Sequence, residues 1–253
     1  MQNNKVMYPI YDNGEIHISI SKGNKKVGNI PQFNTLPGDE PLSLQNGTQL
    51  TNIKGTCGGV CENCKSACYA IKCCTYHHRN VIPAWGRNTV LVRNNPELVR
   101  SEIKEYCTKN IVRYFLFHTA GEFESVEHFA LYCDICRDNP DVTFYVYTKA
   151  FKVLVDYAMK YEIPENFVIN LSVWHDNIEK FQKTLNTHEN IVFQALICKS
   201  NLFIYDDHTA AVGEYANNPH CPAIDKTGHE TGVTCAQCRR CMKLGNRTAV
   251  YNH

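Results

Sequence analysis

Fourteen cysteines stand in this chain, and six of them, Cys57, Cys61, Cys64, Cys68, Cys73 and Cys74, fall within residues 57–74. A hydrophobic core does not ask for thiols at that density, whereas a metal does, because thiolates three or four positions apart turn back onto one ion or cluster without a long loop to close. Gly58 and Gly59 follow Cys57 directly and permit the tight backbone that such wrapping needs. A second group lies near the other end: Cys235-x-x-Cys238-x-x-Cys241, with Cys221 fourteen residues before the triplet as a fourth thiolate. The triplet suits the corners of a cubane iron–sulfur cluster, since structural zinc usually takes two separated Cys-x-x-Cys knuckles.

The remaining candidates have plainer readings. Cys133-x-x-Cys136 falls on a predicted helix, where that spacing puts both sulfurs on one buried face. Cys107 and Cys198 have apolar neighbours and read as small buried hydrophobes. His77-His78-Arg79 has the side chains to bind phosphate or metal and reads equally as a solvated basic turn, and Arg239-Arg240 can donate to cluster sulfurs, meet an acidic partner or simply be exposed.

These residues need elements to hold them. Residues 5–20 alternate about Asp12-Asn-Gly14 and predict a hairpin, and 21–56 is a Gly-, Asn- and Pro-rich ordered loop leading into the cysteines. Helices are expected over 81–92, 96–107 with Asn95 as N-cap and Pro96 at the first position, 125–136, 150–161 and 177–185. Strands are expected over 111–117, 142–147, 167–173 and 191–197, with a further short one over 201–205. Single helices between strands imply right-handed parallel crossovers, hence a doubly wound sheet or a partial or complete parallel β/α barrel. Strand carboxyl ends form the active face of such folds. His118 and Glu122, Thr148 and Lys149, Trp174, His175 and Asp176, and Lys199 and Ser200 are the residues there. One domain is expected, with a hairpin arm (1–56), the cysteine motif and βα repeats (57–205) and a cysteine-rich tail (206–253) pinned by what its thiols bind.

Composition narrows the setting. Hydrophobic residues make up 43% and charged residues 20%, enough for a core, and a net charge of +1 gives no global attraction to nucleic acid or anionic membrane. The sequence holds no apolar run of membrane-spanning length and no signal peptide, so a cytoplasmic, reducing setting is expected, where cysteines persist as thiols or metal ligands.

Cys57-x-x-x-Cys61-x-x-Cys64 resembles the motif of radical S-adenosylmethionine enzymes, and Phe117-His-Thr-Ala-Gly121-Glu122 resembles the Gly-Gly-Glu motif of that family, which follows its second strand. The strand order resembles that family's partial barrel. The resemblance implies three cysteines on a four-iron cluster, Gly121 and Glu122 contacting the amino group of S-adenosylmethionine, and Lys149 or His175 facing a substrate. Two residues depart from the pattern: Asn63 stands where an aromatic is usual, and Cys68 is close enough to fill the open iron.

A fuller set of features is similar to the phage and plasmid gene product 88 family of cysteine-rich proteins. It comprises Asn29-Ile-Pro31, Thr56-Cys57-Gly with Cys64 and Cys68-Tyr-Ala70, and Arg87-Asn88. It continues with His118-x-x-Gly121-Glu122-Phe123-x-Ser125, Tyr147-Thr-Lys149 and Cys221-Pro222 with the triplet. This resemblance implies that Cys68 is a ligand. The expected metal set is therefore Cys57, Cys61, Cys64, Cys68, Cys221, Cys235, Cys238 and Cys241, holding one or two 4Fe-4S clusters for electron transfer or redox sensing, in the host cell's cytoplasm if the gene is a phage's. An electron donor or acceptor protein is the expected partner. A radical S-adenosylmethionine enzyme and a zinc-stapled binding module are the alternatives.

Overall fold

The computed structural model describes residues 16–44, 46–58, 62–174, 177–206, 219–225, 229–245 and 248–252. Strands β1 (Ile20–Ser21) and β2 (Gln32–Phe33) come first, then β3 (Pro41–Ser43) and β4 (Gln49–Lys54), which form a separate two-stranded sheet. Three helices follow in quick succession, α1 (Glu62–Ser66), α2 (Tyr69–Tyr76) and α3 (His78–Asn94), and then α4 (Pro96–Lys109). The βα run comprises β5 (Tyr114–Phe117), α5 (Val126–Asp138), β6 (Thr143–Thr148), α6 (Phe151–Ala158) and β7 (Phe167–Val173). It ends with α7 (Asn177–Gln182), α8 (Thr187–Lys199) and β8 (Asn201–Asp206). The tail contributes α9 (Cys235–Cys238), a 3-10 turn (Arg240–Met242) and β9 (Thr248–Asn252).

The main sheet runs β1-β2-β5-β6-β7-β8-β9, parallel throughout except that β1 is antiparallel to β2. Sequential order in one direction means that each crossover stacks its helix on the same side. The core confirms it: Phe115, Phe117, Phe144, Val146, Phe167, Ile169 and Leu171 pack in one cluster with residues of α3, α4, α5, α6 and α8. The alternate residues Leu116, Tyr145 and Val168 point the other way and pack with Val27, Ile30 and Met242. Among the described residues the sheet ends in edges at β1 and β9, so a closed barrel is not found.

Local signals explain most elements. Asn95 accepts from Leu98 N–H with Pro96 at the first helical position, and Ser125 accepts from His128 N–H, so α4 and α5 start where their caps dictate. The expected strand over 191–197 is instead the middle of α8. Asn186 and Glu189 form a capping box that starts a helix, and its buried residues Phe193 and Leu196 are three apart, a helical spacing. Lys199 and Ser200 therefore end a helix and precede β8, at the sheet end opposite the other candidates. Cys198, expected to be buried, is exposed on that helix.

The segment 21–56 is less irregular than expected: it holds β2, the first parallel strand, and the β3–β4 pair, in which Pro41 opens β3 where a missing N–H is tolerated. Of the expected hairpin, its first strand and turn lie outside the described residues, and Ile20–Ser21 pairs instead with Phe33 and Gln32. The Arg87-Asn88 pair, buried on α3, pins this arm: Asn88 donates to Ser19 O and Asn34 O and accepts from Ser19 N–H, and Arg87 donates to Ser19 Oγ.

Candidate metal centre and carboxylate site

The tail lies on the helix-free face of the sheet. The single turn α9 is started by a capping box between Thr234 and Gln237, and Arg239 then takes a left-handed conformation (φ 54°, ψ 13°) before the 3-10 turn. That reversal between two short turns brings Cys235, Cys238 and Cys241 to one pocket, which Cys221 and Tyr147 also line. Hydrogen bonds hold the arrangement from both sides: the backbone Cys235 N–H and Ala236 N–H donate to Lys26 O and Val27 O, while the side-chain Asn170 Nδ2 on β7 donates to Cys241 O at 3.0 Å and Asn201 Nδ2 to Lys243 O at 3.1 Å. Met242 anchors the turn in the small core beneath.

Burial raises the Cys235 thiol to about 11 and the Cys241 thiol to about 12, and it raises Cys221 as well, against the pull of Lys26 and Arg240. Thiols so placed ionise only when a cation replaces the proton. Two buried donors, Tyr145 Oη and Arg240 Nε, have no hydrogen-bond partner among the described residues. Tyr145 lies beneath Cys235 and Cys241, edge-on to Tyr147, and Arg240 lines the pocket. Arg240 stands at the pocket wall, where it would donate to sulfur-rich anionic contents, and four largely buried thiols are the donor set a thiolate-held cluster would use. Among the described residues no three Cys, His, Asp or Glu side chains are disposed to hold a single metal ion.

The first cysteine group sits elsewhere, at the carboxyl ends of β2, β5 and β6. Cys57 is buried, its N–H donates to Gly38 O at 2.9 Å, and burial followed by the nearby Glu122 carboxylate raises its thiol to about 12, with Lys149 opposing. Cys68 is the N-cap of α2 and makes no side-chain capping bond; it is close enough to act electrostatically on Cys57 and on buried Cys74. Cys64 is half-buried on α1, and Cys61 lies outside the described residues. Cys133 and Cys136 are fully buried on α5, as expected of a packing face, and Cys107 is buried on α4.

Glu122 is 2% exposed, and its carboxylate is held within the protein. Oε1 accepts from Phe123 N–H at 3.0 Å and Thr148 Oγ1 at 2.7 Å, Oε2 accepts from Lys149 N–H at 2.9 Å, and Lys149 Nζ stands 3.9 Å away. The carboxylate thus ties the end of β5 to the end of β6. Gly121 (φ +89°) has no room for a side chain: a Cβ would meet Thr35 Oγ1 at 1.9 Å. Thr56, beside Cys57, accepts from Glu122 N–H at 2.9 Å and bonds Thr35 at 2.8 Å, so the cysteine loop and the Gly-Glu turn are one hydrogen-bonded unit. His118, also left-handed (φ 55°), is buried against Phe123, Tyr132 and His128, and burial lowers it to about 3, so it stays neutral. Trp174 is buried at the end of β7; His175 and Asp176 lie outside the described residues.

The structure therefore joins Cys57, Cys68, Gly121, Glu122 and Lys149 at one place and Cys221, Cys235, Cys238 and Cys241 at another. Sequence reasoning passed over Tyr145 and Asn170, and it named Thr56 and Tyr147 only as parts of the family resemblance, with no role at a site. The tyrosines were accessible to it, because alternate residues of β6 must face away from the helices.

Fold and sites define a largely parallel α/β protein with a four-cysteine pocket on the helix-free face and a buried carboxylate at the strand ends. The chain belongs to the family described as Gene product 88, which matches residues 18–244. It is similar to the Gene 88 protein of Mycobacterium phage L5, at 26% identity over 245 residues covering 90% of this chain and 95% of that protein. No solved structure matches. No helix among the described residues is long and apolar enough to cross a membrane.

Proposed function

We propose that the chain binds a 4Fe-4S cluster through Cys221, Cys235, Cys238 and Cys241 and that it carries or senses single electrons in the cytoplasm of the cell that makes it. The observation that supports this is the conjunction of four thiols around one pocket with two buried donors, Tyr145 Oη and Arg240 Nε, lacking partners among the described residues. When bound, such a cluster supplies reversible one-electron chemistry at a potential set by burial and hydrogen bonds. The chain's own part is to exclude water with Met242 and Tyr147, to donate from Tyr145 and Arg240, and to offset negative charge with Lys26 and Arg240. Cys57, Cys61, Cys64 and Cys68 would hold a second cluster at the strand ends.

A specific observation favours a second reading for that N-terminal group. Cys57 follows the first parallel strand and Glu122 the second, the order that a radical S-adenosylmethionine enzyme on a partial β/α barrel requires. Against it, both carboxylate oxygens of Glu122 already accept internal hydrogen bonds. Anaerobic purification with iron, sulfide and zinc analysis tests the cluster proposal. Brown protein with equal iron and sulfide is expected, and colourless protein carrying stoichiometric zinc would support the zinc-stapled module instead. Incubating the reduced protein with S-adenosylmethionine separates the first two readings: 5′-deoxyadenosine would assign an enzyme, with Lys149 or His175 facing its substrate, and its absence fits a carrier.

A further inference from the structure

The turn that carries the tail cysteines has a second side. Ala236 and Arg239, interleaved with Cys235 and Cys238, line a concavity of about 330 Å³ at the amino end of β5. Its other walls are the loop at Asn29–Pro31, the end of α4 and the segment 110–114. Two of the lining residues are cationic, Arg113 and Arg239, and none is acidic. Arg239 is laid over the Tyr114 ring at 5.5 Å, which fixes its guanidinium at the edge of the concavity. Lys26, whose carbonyl holds Cys235, and Lys25 lie on the adjoining loop, with Glu230 offsetting Lys25 at 3.6 Å. The chain as a whole is almost neutral, so this is a local basic patch beside the cysteine pocket.

Ile111 adds a second observation. It lines the same concavity, is 85% exposed, and adopts φ +48°, a backbone conformation that β-branched residues avoid. Glycine or asparagine would hold that turn with less strain, and a polar side chain would be better solvated. Neither local backbone nor water favours an isoleucine there, while an apolar anchor at a binding surface would be placed in just this way.

We propose that this concavity is the docking site of a small acidic iron–sulfur carrier protein, Ile111 seating against its apolar surface and Arg113 and Arg239 meeting its carboxylates. The inference rests on the cluster reading above. The step is the transfer of one electron: the partner's reduced cluster is oxidised by one electron, the cluster on the four tail cysteines is reduced by one, and no bond is formed or broken.

The test mixes the cluster-loaded, oxidised chain with reduced 2Fe-2S ferredoxin in a stopped-flow instrument across a range of ionic strength, with dithionite as a small-molecule control. R113E is expected to lower the second-order rate at least tenfold at low salt and to flatten its salt dependence. I111N, in which asparagine suits the left-handed turn, is expected to be no less stable than wild type and yet to react several-fold more slowly with ferredoxin. Both should match wild type with dithionite, as should K183E, in the turn just after α7, with either reductant. A loaded protein whose R113E and I111N variants react with ferredoxin at the wild-type rate and salt dependence overturns the docking site alone. A chain that takes up no iron overturns the cluster reading and the docking site together.

Discussion

Replacing Glu122 by glutamine tests whether this carboxylate is a structural tie between strand ends or a group held ready for a ligand. In the native protein it accepts three hydrogen bonds, from Phe123 N–H, Thr148 Oγ1 and Lys149 N–H, beside the Lys149 ammonium and out of contact with water. Glutamine keeps one acceptor oxygen and places an amide N–H₂ where the other stood. If its oxygen keeps the two bonds of Oε1, the Lys149 N–H faces a donor, and the Lys149 ammonium loses its counter-charge. A bond to a charged acceptor contributes about 1.5–3 kcal/mol, and a buried donor left unsatisfied costs about 1–3 kcal/mol. Part of this is returned because a neutral side chain needs no desolvated charge. The balance is about 3 kcal/mol of destabilisation for E122Q. At ~2–4 °C per kcal/mol for a chain of this size, that lowers Tm by about 6–12 °C. Urea unfolding followed by fluorescence of Trp85 and Trp174 measures it. A variant within about 0.5 kcal/mol of wild type would refute the tie and leave Glu122 available to S-adenosylmethionine.

Three other outcomes follow from the same residues. Burial lowers His118 to about 3 in the folded chain, below its unfolded value near 6.5, so the unfolded state binds the extra proton between those limits and stability falls as pH drops from 6.5 towards 3, by up to about 1.4 kcal/mol per pH unit; H118N, which suits the left-handed backbone, should remove that share of the slope in urea titrations at pH 7 and pH 5, and an unchanged slope would contradict it. Y145F removes a buried donor beneath Cys235 and Cys241 and should shift the cluster to a more negative potential in film voltammetry, because hydrogen bonds to sulfur favour the reduced form. N186A deletes the capping box of α8 and should cost about 1 kcal/mol in chemical denaturation, whereas a strand over 191–197 would leave it neutral.

Legibility followed the range of the interactions. Phe167–Val173 was readable to the residue because a buried parallel strand reads as a short, mainly apolar run, and Phe167, Val168, Ile169, Leu171 and Val173 supply one despite Asn170 and Ser172. The starts of α4 and α5 were readable from Asn95, Pro96 and Ser125, whose capping chemistry is local. The segment 191–197 misled because Ile191, Val192 and Ile197 resemble a strand, while the deciding signal, Asn186 with Glu189, lies upstream of the run. Strand β2 is too short to show a period and exists because β1 and β5 pair with it from either side. The four tail cysteines could be grouped by spacing alone. That they cover the face bearing Tyr145 and Tyr147, and that Asn170 and Asn201 hold them there, depends on contacts across 42 and 71 residues that no local pattern encodes.

Iron and acid-labile sulfide per chain, compared between the wild type and a C235A/C238A/C241A variant purified side by side without oxygen, reach the centre of this account most directly. Wild type is expected to carry about four irons and four sulfides at the tail site, plus a further set if Cys57, Cys61, Cys64 and Cys68 hold a second cluster, and the variant is expected to lose about four of each while staying folded. A variant that keeps the wild-type iron and sulfide, or a wild type that holds zinc with no sulfide, would contradict it.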